Sequence, residues 1–143
     1  MKSCTFFGHR DVSEKIGETL TPLLIELIKK GVDMFYVGSQ GNFDYTVIKT
    51  LKLLKIKYPH ISYYIVLAYL PVKEVTACFD YKNTLYPEGL EAVPPKYAII
   101  ERNKWMIDKS DCVIVYVNQP SSNTAKFKAI SEKKGKIVIN IAD

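Results

Sequence analysis

The chain has 143 residues, 48% of them hydrophobic, and its 20 Lys and Arg exceed its 15 Asp and Glu to give a net charge of +5. This length and composition suit one compact domain over residues 1–143. The positive residues are dispersed and form no basic tail, so the charge favours anionic ligands but does not require nucleic acid.

Hydrophobic periodicity divides the chain into alternating strands and helices. Short apolar runs rich in strand-forming residues indicate buried strands. They occupy residues 2–7, 34–37, 61–70, 112–117 and 136–141. Apolar residues at three- and four-residue steps predict the intervening helices. These helices span residues 13–30, 43–57, 96–109 and about 124–134.

Residues 71–95 lack a clear periodicity, and several prolines mark turns within them. A long irregular segment in a compact domain often forms one wall of a site, although a short helix over residues 72–81 would also fit. Its aromatic and acidic residues either close over a ligand or cover the sheet edge. These residues are Phe79, Asp80, Tyr81 and Tyr86.

Five strands that alternate with helices predict an α/β fold, a Rossmann-like open parallel sheet with helices on both faces. Right-handed crossovers give the strand order 3-2-1-4-5, with the first and fourth strands adjacent. In such sheets, ligands bind in the crevice beyond the carboxyl ends of the strands, where the order reverses.

Cysteine usage and hydropathy indicate a cytoplasmic protein. Cys4, Cys78 and Cys112 are odd in number and include no CxxC pair, so we expect reduced, mostly buried thiols. The longest apolar run, residues 61–72, is too short to span a bilayer, and the amino terminus does not have the pattern of a signal segment. We therefore expect no membrane partner.

Three polar loops converge on the crevice in the predicted topology, and each precedes a helix amino terminus, where free backbone amides attract anions. The candidate ligand-binding residues in these loops are Gly8, His9, Arg10, Gly38, Ser39, Gln40, Gly41, Ser121, Ser122, Asn123 and Thr124. Alternatively, the glycines only make tight turns, and Ser122 or Asn123 only caps the following helix.

For each charged residue near the crevice, the sequence allows a ligand-binding role or a structural role. His9 and Arg10 would donate hydrogen bonds to a phosphate or ribose, or else form a surface pair. Arg102 is a candidate ligand clamp, or else forms a salt bridge to Glu101 or to a neighbouring helix. Trp105 is expected to pack rather than to stack on a base.

Motifs of the common catalytic classes are missing. The sequence contains no GxSxG, no Walker loop, no complete GxGxxG and no paired-carboxylate spacing. His9 and His60 are too few and too differently placed for a metal site. The residues favour binding over catalysis, and we predict no catalytic residue, cofactor or metal.

Three motifs in order, with the last strand-helix-strand, resemble the SLOG superfamily over almost the whole chain. They are residues 6–10 (FFGHR), 38–44 (GSQGNFD) and 101–108 (ERNKWMID). This superfamily unites Smf, the DNA-processing proteins and the Lonely Guy enzymes on a Rossmann-like fold, and the chain is most similar to small bacterial single-domain members that begin with F-x-G-H-R. The resemblance implies binding of a nucleotide or nucleotide-derived ligand, with Asp44 in the site, and some members sense NAD-derived signals in antiphage defence.

Lonely Guy enzymes hydrolyse the N-glycosidic bond of nucleoside monophosphates. Their E-R-K-x-x-M pattern is similar to residues 101–106, so the resemblance gives Arg102 the role of a clamp. Their P-G-G-x-G-T-x-x-E loop is not reproduced in residues 120–127, where Phe127 holds the position of the catalytic Glu. Without that carboxylate, no evident group stabilises an oxocarbenium-like transition state.

We therefore expect a cytoplasmic domain that binds a phosphate-bearing nucleotide or derivative, with Arg10 and Arg102 as charge clamps. A first alternative is cleavage of a nucleotide N-glycosidic bond, with Glu101 or Asp44 as the carboxylate. A second is binding of single-stranded nucleic acid, with an affinity that falls steeply with salt. A homo-oligomer is compatible with the sequence, because related folds often pair through helices.

Overall fold

The structure, a computed structural model, describes residues 2–70 and 83–142 of the chain. Its apolar runs form six strands of one sheet. These are β1 (Ser3–Gly8), β2 (Met34–Val37), β3 (Ser62–Val66), β4 (Thr84–Leu85), β5 (Cys112–Tyr116) and β6 (Ile137–Asn140). All neighbouring strands are parallel, in the order β4-β3-β2-β1-β5-β6.

Four helices cover the two faces of the sheet. They are α1 (Gly17–Lys29), α2 (Asn42–Lys57), α3 (Ala98–Lys109) and α4 (Asn123–Lys133). Because side chains alternate along a strand, Phe6 packs in the core beneath α1 and α2, whereas Phe7 packs in the core beneath α3 and α4. Three-residue 3₁₀ turns precede α1 and α3.

The predicted fold class is confirmed, and the five predicted strands lie in the predicted order. The strand count was too low, because β4 extends the sheet beyond β3 through only two residues, with Ile65 opposite Thr84 and Val66 opposite Leu85. Two residues are too few to produce a periodic pattern. The possible helix over residues 72–81 lies outside the described residues.

The central strands β1 and β5 hold two of the three cysteines. Cys4 and Cys112 lie opposite one another, and both are fully buried free thiols, as the sequence predicted. Burial raises the pKa of the Cys4 thiol. Cys78 lies outside the described residues. Among the residues that the structure describes, no helix is long and apolar enough to cross a membrane.

Candidate functional site

A cavity of about 550 Å³ opens at the carboxyl ends of β1, β2 and β5. This is the crevice where the strand order reverses, and its volume lies in the range of small-molecule sites. Ten of the thirteen sequence-predicted site residues line it: Gly8, His9, Arg10, Gly38, Gln40, Asp44, Arg102, Ser122, Asn123 and Thr124. Ser39, Gly41 and Ser121 do not line it.

The first two loops are locked together by close backbone contact. Gly41 has a φ of +91°, and a Cβ there would lie 2.7 Å from the Arg10 Cα. The backbone N–H of Asn42 donates to the Arg10 carbonyl at 2.8 Å. A Cβ at Gly8 would meet the Phe43 ring at 2.3 Å, so that ring packs directly on the glycine. These glycines are therefore needed for close packing, which fixes the cavity floor.

Asp44, in the first turn of α2, places a carboxyl group at the edge of the cavity. Its side chain is only 8% exposed, and its Oδ2 accepts a hydrogen bond of 2.8 Å from the Gln40 backbone N–H. Burial raises the pKa of Asp44 to about 6, while the Gln40 N–H and the Arg102 charge oppose this rise. A buried carboxyl with such a pKa is a typical feature of functional sites.

Arg102 projects from α3 to the same part of the cavity and is 2% exposed. Its Nη1 donates to the Val66 carbonyl at 2.9 Å, at the end of β3, and its Nε donates to the Asn103 Oδ1 at 2.8 Å. Burial lowers the pKa of this guanidinium and the carboxyl of Asp44 raises it. The alternative in which Arg102 forms a salt bridge to Glu101 is wrong, because Glu101 pairs with Lys104 on the exposed side of α3.

His9 and Arg10 occupy the cavity rim after β1. The Nε2 of His9 accepts a 3.3 Å hydrogen bond from the Asn118 backbone N–H, so a neutral imidazole carries its proton on Nδ1. Arg10 is exposed, and its Nη2 donates to the Gln40 Oε1 at 3.4 Å. The two side chains therefore connect the first loop to the third and second loops, respectively.

The third loop leads into α4 through a helix cap. The Ser122 hydroxyl accepts a 3.1 Å hydrogen bond from the Ala125 backbone N–H, so Ser122 has the predicted capping geometry and also lines the cavity. Phe127, one turn later, stacks on Phe7 with ring centroids 5.4 Å apart. The position that the resemblance assigns to a catalytic carboxylate is thus part of an apolar wall.

Sequence reasoning missed most of the apolar wall and several polar groups. The lining residues that were not predicted are Phe6, Phe7, Asp11, Ile99, Ile100, Asn103, Met106, Gln119, Lys126, Phe127 and Ile130. Helical spacing offered a signal for part of this set, because Ile99, Asn103 and Met106 lie on the face of α3 that carries Arg102.

Aromatic and apolar residues outside the three loops pack against other side chains. Trp105 packs edge-on against Tyr36, as expected, and Met106 is buried. Tyr86 packs partly buried against the core. Phe79, Asp80 and Tyr81 lie outside the described residues. Within the described part of the chain, no group of three or more His, Cys, Asp or Glu is arranged to hold a metal ion.

No protein-family model matches the chain, and no curated protein is significantly similar to it. One wall is apolar, the rim carries basic side chains and helix amino termini, and the floor holds a buried carboxyl beside a buried guanidinium. Such a combination suits a ligand with a flat or apolar part, hydroxyl groups and a negative charge.

Proposed function

We propose that this chain is a SLOG-type domain that binds a nucleotide or nucleotide-derived ligand in the cavity, as a sensor or binding module. The observation that carries the proposal is the pair of buried charged groups, Asp44 and Arg102, that face the open cavity without a direct salt bridge. Burying charged groups is costly unless other groups satisfy them. A polar ligand would repay part of that cost.

The amino terminus of α4 supports a phosphate position at one end of the cavity. The backbone N–H groups of Asn123 and Thr124 have no hydrogen-bond acceptor among the described residues, and both residues line the cavity. The helix dipole adds partial positive charge there. Lys126 and His9 line the same cavity and can add hydrogen bonds to a phosphate.

The apolar wall supports a position for the base. Phe7 and Phe127 stack on one another, and Ile99 and Met106 face the same space from α3. Aromatic and aliphatic side chains of this kind provide the burial that a base requires, while the few polar groups fix its orientation.

A thermal-shift screen tests this proposal. The panel contains nucleoside mono-, di- and triphosphates, NAD, ADP-ribose and cyclic nucleotides. A ligand at about a hundred times its Kd should stabilise the fold by about 2.7 kcal/mol. Lys126→Ala should weaken the shift, whereas Lys52→Ala, an exposed residue of α2 outside the cavity, should leave it unchanged. No shift with any compound would contradict the proposal, and salt-sensitive binding of single-stranded DNA would favour nucleic acid instead.

Hydrolysis of a nucleotide N-glycosidic bond is the second candidate, and the position of Asp44 favours it. A general base works best when its pKa lies near the working pH, and the Asp44 pKa of about 6 lies close to neutral pH. Asp44 would take a proton from the water that bonds to the sugar C1′. The base would leave with the electron pair of the broken bond and receive that proton.

Release of free base from nucleoside monophosphates measures this activity. Asp44→Asn should abolish release. Glu101→Gln is the matched control, because Glu101 is exposed and does not line the cavity. Equal turnover by both variants would exclude Asp44 as the base, and no turnover by the unmodified protein would exclude the reaction for the nucleotides tested.

A further inference from the structure

We propose that Asp44, Gly38 and Arg102 form a subsite that selects ligands carrying a sugar hydroxyl. The inference rests on the proposed nucleotide binding and adds to it the part of the ligand that this region recognises. It assigns Arg102 to the sugar, and it leaves the phosphate to the amino terminus of α4.

The missing side chain of Gly38 creates the subsite. A Cβ at this position would lie 3.0 Å from the Asp44 Oδ2 and 3.2 Å from both Cζ and Nη1 of Arg102. The carboxyl and the guanidinium therefore flank the glycine, which itself lines the cavity. A ligand group that rests against Gly38 meets an acceptor on one side and a donor on the other.

Both flanking side chains keep a free polar atom. The Asp44 Oδ2 accepts from Gln40, but no donor among the described residues meets its Oδ1. Arg102 uses Nε and Nη1, but its Nη2 has no acceptor among them. Since no described side-chain N or O atom is fully buried without a partner, neither of these two atoms is fully buried, and both residues line the cavity.

A hydroxyl group matches this pair of partners with a single oxygen. An ionised carboxylate only accepts hydrogen bonds and a guanidinium only donates them, whereas a hydroxyl does both. A single oxygen at the place where a Gly38 Cβ would lie is within reach of both side chains. A phosphate oxygen is a poor occupant, because it would lie beside the negative charge of Asp44.

Ribonucleotides and their 2′,3′-dideoxy counterparts test the subsite. Affinities of the four nucleoside 5′-monophosphates in each form are measured at pH 8, above the Asp44 pKa of about 6. The unmodified protein should bind at least one ribonucleotide about tenfold or more tightly than its dideoxy form, the loss expected for one hydrogen bond to a charged group. This comparison uses only the unmodified protein, so it does not depend on whether a variant folds.

Two variants test whether the preference for ribonucleotides comes from this subsite. Asp44→Asn and Gly38→Ala should each reduce the ratio of ribonucleotide affinity to dideoxynucleotide affinity to about one. Glu101→Gln and Gly17→Ala are the controls, because neither residue lines the cavity and a Cβ at Gly17 would make only ordinary contacts, at 3.6 Å.

The outcomes separate the two proposals. Binding of ribo- and dideoxynucleotides with equal affinity would overturn the hydroxyl subsite while preserving nucleotide binding. Discrimination among bases without discrimination between sugars would overturn it as well. No binding of any nucleotide would overturn both proposals.

Discussion

The carboxyl of Asp44 and the guanidinium of Arg102 lie on either side of Gly38 without forming a direct salt bridge. Each is held by the backbone of a different loop or strand end, Asp44 by the Gln40 N–H and Arg102 by the Val66 carbonyl. Elements α2, β3 and α3 thus position two opposite charges at one point of the cavity.

The free energy of unfolding should fall as pH rises from about 4 to 6, because of Asp44. The folded-state pKa of about 6 exceeds the value of 3.8 for a free side chain, so in this interval the folded chain binds a proton that the unfolded chain has lost. Asp44 alone should lower the free energy of unfolding by about 2 kcal/mol across the interval. Urea denaturation at several pH values measures the decrease.

Asp44→Asn is the matched variant for this effect. The amide does not titrate, so the variant should lack this part of the pH dependence. Its free energy of unfolding should therefore rise relative to that of the unmodified protein as pH rises from about 4 to 6. Identical pH profiles for the two proteins would contradict the assignment.

Gly38→Ala should destabilise the fold by about 1–2 kcal/mol, because its Cβ would crowd the Asp44 carboxyl and the Arg102 guanidinium. Gly17→Ala provides the comparison. Gly17 lies in the first turn of α1 with ordinary space around it, so alanine there should be neutral or slightly stabilising. Chemical denaturation measures both, and equal effects of the two substitutions would show that Gly38 is not crowded.

Ser122→Ala should destabilise the protein by about 1 kcal/mol, because the Ala125 N–H loses its hydroxyl acceptor at the start of α4. Ser121→Ala should have little effect, since Ser121 is exposed and makes no side-chain hydrogen bond among the described residues. Thermal denaturation of the two variants side by side measures the difference. A larger loss for Ser121→Ala would contradict the capping assignment.

Phe127→Glu should destabilise the fold by about 1–3 kcal/mol, because it replaces the ring that stacks on Phe7 with a charged group. Phe127→Leu keeps an apolar side chain there and should lower the free energy of unfolding by less. Denaturation of both variants at pH 8 tests this ranking. If the glutamate variant were the more stable of the two, Phe127 would not form part of an apolar wall.

Much of the fold followed from local patterns, whereas much of the site did not. The strand ending at Gly8 and the helix after Ser122 were predictable because apolar periodicity and capping are local in sequence. The anchoring of Arg102 was not, because its acceptor, the Val66 carbonyl, is 36 residues away in the chain. Its position in the predicted helix and the resemblance both made Arg102 a candidate clamp, but its burial and its partner depend on tertiary packing.

The contact between Gly41 and Arg10 illustrates the same limit. The sequence offered glycine as a turn former or as a ligand contact, while the structure gives it a close backbone approach to the preceding loop. For Phe127, the sequence predicts only that an aromatic residue in a helix will pack against something. It does not reveal which residue it packs against. Only the parallel pairing of β1 and β5 brings α4 above Phe7.

An NMR titration of the amide signals tests whether the cavity binds a nucleotide, because it both detects a ligand and locates it. The uniformly labelled protein is titrated with each of the four ribonucleoside 5′-monophosphates. We predict saturable shifts for the amides of Gly8, Gly38, Asn123 and Thr124 with at least one nucleotide, and no shift for the indole of Trp105, which lies outside the cavity. The absence of shifts at the cavity amides with all four nucleotides, or shifts confined to the surroundings of Trp105, would contradict this prediction.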